Sequence, residues 1–160
     1  METPAMKTAI PSRPATRRAA IACGMAAVLL GACATATGPQ FSGLEAAPPG
    51  QGQLYLYRKS ALYASGAAYD VALDGKAAGK LFNASYLVLP LAPGERTVSI
   101  DERGFTSAKS FKINAEAGKR YFAEYDSSKG LLLGWGLLSG SSMKTEAEAM
   151  ADLKELKRAQ

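Results

Sequence analysis

The sequence contains no histidine. That one absence excludes an imidazole metal ligand, a histidine general base and a Ser-His-Asp triad. Only two cysteines occur, Cys23 and Cys33, both near the N-terminus. A chain processed before Cys33 keeps a single thiol and forms no internal disulfide, even in an oxidising compartment. There is one tryptophan, Trp135. No apolar run approaches the ~20 residues that cross a hydrocarbon core. A strong charge of one sign is also missing. From residue 33 onward there are 15 Lys+Arg against 13 Asp+Glu, a net charge of +2. The whole-chain value of +5 therefore comes partly from the first 32 residues, and it leaves no basic footprint for nucleic acid.

The N-terminal segment is basic, with Lys7, Arg13, Arg17 and Arg18 against Glu2. Initiation at Met1 or at Met6 keeps this character. An apolar core of about 12 residues follows, from Ala19 to Leu30, and small residues close it. This is the layout of a secretory signal peptide, too short for a retained transmembrane helix. Leu30-Gly31-Ala32-Cys33 ends that core and resembles the lipobox of bacterial lipoproteins. The resemblance implies a signal peptide over 1–32 and cleavage before Cys33. It also implies acyl chains of the palmitate type on the Cys33 thiol and the new N-terminus. Cys23 has a poorer context. A single acyl chain binds a bilayer reversibly, whereas several hold a protein there. In enteric-type sorting an Asp after the cysteine retains a lipoprotein in the inner membrane. Ala34 stands there instead, which predicts the outer membrane, periplasmic face.

Processing at Cys33 leaves 128 of the 160 residues, enough for one domain with its own core. Residues 33–52 comprise the lipidated Cys and a small, polar, Pro/Gly-rich stretch that reads as a flexible tether. Phe41 and Leu44 are its only large apolar residues and are expected to dock on the domain edge. Over 53–140 about seven short strands recur between turn signals. They centre on Leu54–Tyr57, Tyr69–Leu73, Lys80–Phe82, Tyr86–Leu91, Val98–Ile100, Phe111–Ile113 and Tyr121–Tyr125. Asp74-Gly75, Pro93-Gly94 and Ala117-Gly118 supply the turns. Pro90 marks a strand end or a sheet edge. The pattern predicts a mainly β fold, a small antiparallel β-sandwich of about seven strands.

Leu131 to Leu138 is apolar but broken by glycine, and reads as a last buried strand or a loop carrying Trp135. Over 141–160, Thr145 and Glu148 have capping-box spacing. Ala147, Met150, Leu153 and Leu156 then form an apolar stripe. These features predict a C-terminal amphipathic helix of three to four turns, packed on or next to the domain.

Gly38-Pro39-x-Phe41, Leu54-Tyr55-Leu56-Tyr57-Arg58, Val71-x-Leu73-Asp74-Gly75-Lys76, Gly79-x-Leu81, Tyr86-x-x-Leu89, Pro93-Gly94-Glu95 and Ala117-Gly118-Lys119-x-Tyr121-Phe122 occur in this order. The series resembles an uncharacterised bacterial lipoprotein family, a domain of unknown function, over roughly residues 38–126. It is similar, more distantly, to PEGA-type surface β-domains. The resemblance implies a small β-sandwich on a membrane anchor and brings no catalytic residues.

Candidate chemistry is sparse. Ser141-x-x-Lys144 matches the Ser-x-x-Lys element of penicillin-binding proteins and class A β-lactamases, without the companion Ser-Asp-Asn and Lys-Thr-Gly elements. Asp101-Glu102 are adjacent carboxylates, which a strand would aim to opposite faces. Asn83-Ala84-Ser85 is a glycosylation sequon of little weight in a bacterial lipoprotein. Arg58-Lys59 ends one strand and Lys119-Arg120 begins another, and the two basic pairs could meet at one end of the sandwich. Arg58, Lys59 and Trp135 are therefore the candidate interaction residues, beside Cys33 for lipidation. No cofactor and no metal is expected. The functional expectation is a non-enzymatic binding or structural lipoprotein of the envelope. An accessory subunit of an envelope protein complex is the alternative, with a Ser-Lys hydrolase behind it.

Overall fold

The computed structural model describes residues 35–101, 109–126 and 140–159. The chain divides into Met1–Cys33 and Ala34–Gln160, and every described residue belongs to the second unit. Its described elements are β1 (Gly52–Arg58), β2 (Tyr69–Leu73), β3 (Lys76–Leu81), β4 (Ser85–Leu91), β5 (Gly94–Asp101), β6 (Lys109–Ala115), β7 (Arg120–Asp126), β8 (Gly140–Lys144), α1 (Glu146–Leu153) and β9 (Lys157–Arg158). The strands form one sheet of five, in the order β8-β7-β1-β4-β9, and one of four, β3-β2-β5-β6. The fold is thus mainly β, in two sheets with a short helix, as the alternation predicts. The described strands number nine rather than about seven, and two pairings are parallel: β1 with β7 and β4 with β9.

β1 explains the architecture. Its Leu-Tyr-Leu-Tyr run places leucines on one face and tyrosines on the other, and both faces are buried. Leu54 and Leu56 face the four-stranded sheet. There they join Leu87, Leu89 and Leu91 of β4 with Val71, Val98, Ile100 and Ile113 of the opposite sheet in one aliphatic core. Tyr55 and Tyr57 face the other way and join Phe41, Tyr86, Phe122, Ala149, Leu153 and Leu156 in a second core. The five-stranded sheet is therefore the middle layer of three.

Turn chemistry fixes the register. Asp74 (φ 51°) and Gly75 (φ 77°) both take the left-handed conformation, giving the two-residue β2–β3 hairpin its expected sequence. The Asp74 carboxylate accepts from the Thr97 backbone N–H at 2.9 Å and from Arg96 at 3.1 Å. The register then shifts between Val71 and Ala72, leaving Ala78 as the extra residue of a bulge. Gly79 follows at φ 141°, where a Cβ would press on the Leu87 side chain at 3.0 Å. Pro90 lies on β4 opposite Gln53 of β1. Its other flank needs no donor, because β9 pairs with β4 only at Ser85 and Tyr86.

Two expectations need correction. The stretch predicted as a flexible tether is laid down as part of the outer layer from residue 35. Gly38 donates to the Arg158 carbonyl at 3.1 Å, Arg158 donates back to Pro39 at 2.8 Å, and Phe41 donates to Leu156 at 3.0 Å. A Cβ on Gly38 would lie 2.4 Å from the Arg158 oxygen, so only glycine allows the approach. Phe41 then packs edge-on against Tyr86 at 5.6 Å and Tyr55 at 6.4 Å. Its docking is the one the sequence anticipates.

The second correction concerns 141–160. The capping box is present, with Thr145 Oγ1 accepting from Glu148 N and the Glu148 carboxylate accepting from Thr145 N. The helix, however, runs for only eight residues. Residues 140–144 are instead an edge strand of the five-stranded sheet, and Lys157–Arg158 form another. Ala147 is exposed, and Ala149 with Leu153 makes the buried face. The helix stops short because residues 156–159 gain sheet bonds: Lys157 N–H to Ala84 and Ala159 N–H to Tyr86.

Candidate functional site: the far end of the central strand

β1 ends at Arg58, whose side chain continues the leucine face and is almost fully buried. Burial of a guanidinium requires acceptors for a donor-only group. The β1–β2 loop supplies them with its backbone. Arg58 donates to the carbonyls of Ala64 (2.7 Å), Ala67 (3.1 Å) and Tyr63 (3.3 Å). Its Cζ lies 4.9 Å from the Tyr69 ring centroid, a cation–π contact. Ala64 takes a left-handed φ of 52°, and Ala67 N–H closes a turn onto Ala64 at 3.0 Å. With its carbonyls turned inward, the loop carries Leu62 and Tyr63 outward. Leu62 is 96% exposed and Tyr63 44%.

On the tyrosine face the next side chains form a charge cluster. Glu124 of β7 is buried, and each of its oxygens has a lysine. Lys59 Nζ lies 2.9 Å from Oε1, and Lys144 Nζ lies 3.1 Å from Oε2. Lys59 also lies 3.7 Å from Asp152 of α1, which accepts from the Tyr57 hydroxyl at 2.9 Å. Two carboxylates and two ammonium groups balance. Burial pushes the Glu124 carboxyl up, but the hydrogen bonds and charges of Lys59 and Lys144 outweigh this and leave it below the usual range. The hydrogen bond to Glu124 raises Lys59. Burial, then Asp152, raises Tyr57 well above a free phenol. Each shift keeps its group in its resting ionic state at neutral pH. That suits a strut between sheet and helix, and it is opposite to what a general base or an amine nucleophile needs.

The predicted site residues separate. Cys33 and Trp135 lie outside the described residues, as does Glu102 of the carboxylate pair. Arg58 is an internal anchor for a loop and is not a surface contact. Lys59 is half exposed but committed to Glu124 and Asp152. The two basic pairs do not meet: β1 and β7 run parallel, so Arg120 sits beside Gln53 at the start of β1 while Arg58 stands at its end. That is about five residues, or roughly 16 Å, along the strand. Ser141 and Lys144 lie three apart on β8, where such residues face opposite ways. Ser141 is paired with Tyr125 of the aliphatic core, whereas Lys144 turns to Glu124. The two therefore do not form a Ser-Lys pair. Among the described residues no group of three or more acidic, cysteine or histidine side chains is placed to hold a metal ion.

What the sequence reading missed is the Leu62-Tyr63 tip. The available signal was two large apolar residues alone in the small-residue run Ser60-Ala61-Leu62-Tyr63-Ala64-Ser65-Gly66. Its neighbour is equally informative. Ala61 N–H donates to Asn83 Oδ1 at 2.9 Å, and Asn83 forms a β-bridge with Thr35. The first described residue of the chain thus lies against the base of this loop.

The chain belongs to a protein family of unknown function, DUF2846, whose family model matches residues 48–134. The match spans β1 to β7 and includes Arg58, its loop and Glu124. The docked segment 35–45 and the elements from β8 onward lie outside it. No curated protein matches the sequence.

Proposed function

We propose that this protein is a lipid-anchored lipoprotein of the cell envelope with a non-enzymatic binding or structural role, held on the periplasmic face of the outer membrane through Cys33. The observation that carries the reading is Leu30-Gly31-Ala32-Cys33 at the end of a short apolar core behind a basic segment. Support for a non-enzymatic role comes from the carboxylate buried among the described residues, Glu124, each of whose oxygens is occupied by a lysine, and from the opposed faces of Ser141 and Lys144. Mass spectrometry of the mature N-terminus, with membrane fractionation, tests the anchor. The expected result is a diacylglyceryl-modified Cys33 in the membrane pellet, and a Cys33→Ser variant that loses both modification and pelleting. An unmodified Cys33 would overturn it.

A second reading, accessory subunit of an envelope complex, draws on β8. This strand forms one edge of the five-stranded sheet and carries Met143, 52% exposed. Unpaired edges and exposed apolar side chains are the usual means of strand-to-strand docking. Crosslinking from membranes through position 143 tests it. A specific adduct at position 143, competed away by excess soluble domain but not by its Met143→Lys variant, supports the second reading, and absence of any adduct removes it.

A further inference from the structure

We propose that the Leu62-Tyr63 tip of the β1–β2 loop inserts into the lipid bilayer as a second contact beside the anchor. The inference rests on the reading of Cys33 as the lipidated residue. Two residues of chain reach at most about 7 Å, and Cys33 precedes Thr35 by two residues. Thr35 is bridged to Asn83, whose side chain holds Ala61, the residue before Leu62. A bilayer that takes the acyl chains on Cys33 therefore lies within a short reach of the loop tip.

The segment from 35 to 45 gives no slack to lift the domain away. It is fastened by Gly38, Pro39 and Phe41 to residues 156–158, by Gln40 Nε2 to the Lys154 carbonyl at 2.8 Å, and by Glu45 N–H to the Tyr55 hydroxyl at 2.7 Å. The tip itself has the chemistry of an interfacial contact. A fully exposed leucine is next to a tyrosine that offers an apolar ring with a polar end. The loop is stiffened from within by Arg58, so inserting it orders little further chain. Lys157, exposed at the start of β9 and paired with Ser85 beside the Asn83 corner, adds a positive charge at headgroup level.

The test uses the full lipidated protein in vesicles of phosphatidylethanolamine and phosphatidylglycerol. Its mature chain holds no thiol other than the acylated Cys33, so an introduced cysteine takes a polarity-sensitive fluorophore uniquely. One label goes at Ser65→Cys in the loop. A second goes at Ala117→Cys in the β6–β7 turn, next to Lys119 at the opposite end of β1. The expected result is a blue-shifted label at 65, protected from an aqueous quencher and quenched by chain-brominated lipid, with the label at 117 fully aqueous. Adding Leu62→Asp, which alters an exposed side chain and leaves the fold intact by circular dichroism, abolishes the protection at 65. Equal aqueous exposure at 65 and 117 on a protein whose Cys33 carries lipid overturns the second contact and leaves the anchor standing. Absence of lipid on Cys33 by mass spectrometry overturns the anchor, and the second contact with it.

Discussion

The five-stranded sheet is buried on both sides, and the two sides are built from different material. Toward the four-stranded sheet the contacts are mostly leucine, valine, isoleucine and alanine, supplied by neighbouring strands of one continuous sandwich, with Tyr69 edge-on to Tyr125 among them. Toward the helix they are tyrosine and phenylalanine, closed by pieces drawn from residues 35–45 and 145–159, with Glu124 and its lysines at one margin. The aliphatic side rests mainly on volume and exclusion of water, with the Arg58 guanidinium held by loop carbonyls at its end. The aromatic side must also satisfy hydroxyl groups: Tyr55 receives the Glu45 N–H, and Tyr57 gives its proton to Asp152. The family match covers the strands of the aliphatic side almost completely and omits most of what closes the aromatic side. The sandwich is what the family match covers, and the outer layer is drawn largely from residues on either side of it.

This contrast can be pressed from either side. The largest effect is expected at the aliphatic core: Leu56→Ala, at a fully buried site, should cost about 2–5 kcal/mol in urea unfolding. A smaller loss would show that the two layers do not share one cooperative core. Glu124→Gln comes next, at about 1–3 kcal/mol, because both lysines lose the carboxylate charge they share and one of them meets an amide donor instead of an acceptor oxygen. Its sign with pH is definite. The folded carboxyl ionises below its unfolded value near 4.5, so its stabilisation is complete above that value and is lost as pH falls through the folded one. The wild type should therefore lose urea resistance more steeply than Glu124→Gln between about pH 5 and 3. Parallel slopes would remove Glu124 from the account.

Gly38→Ala acts only on the outer layer. With 2.4 Å between the new Cβ and the Arg158 oxygen, the segment must move away. We expect about 1–3 kcal/mol and fast hydrogen exchange confined to the amides of Phe41 and Arg158. Protection that persists at both would mean the segment is held by other contacts. Thr145→Ala should be the mildest, near 1 kcal/mol, through loss of the N-cap. It should loosen α1 amides while those of β2 and β5 remain unchanged.

The sequence was readable where a residue's neighbours along the chain decide its state. The Leu-Tyr alternation of β1, the Asp74-Gly75 hairpin and the Thr145/Glu148 capping box are local signals, and each is realised. It was unreadable where partners far along the chain decide. Gly140-Ser-Ser-Met-Lys144 has little strand preference of its own and becomes β8 because β7 offers a free edge. The parallel pairing of β1 and β7 has no periodic signature, so the placement of the two basic pairs at opposite ends could not be foreseen. Arg58 looked like a surface charge because the acceptors that permit its burial are backbone carbonyls, which any sequence supplies.

The interlock of Gly38 and Phe41 with residues 156–158 also sets an order of events. Glu45 and Arg158, an ion pair of this layer, are 113 residues apart. The early segment therefore has no seat until nearly all the strands between have been synthesised and arranged. During that interval the segment from residue 35 to 45 stays uncovered, and completion of the outer layer later buries its Phe41.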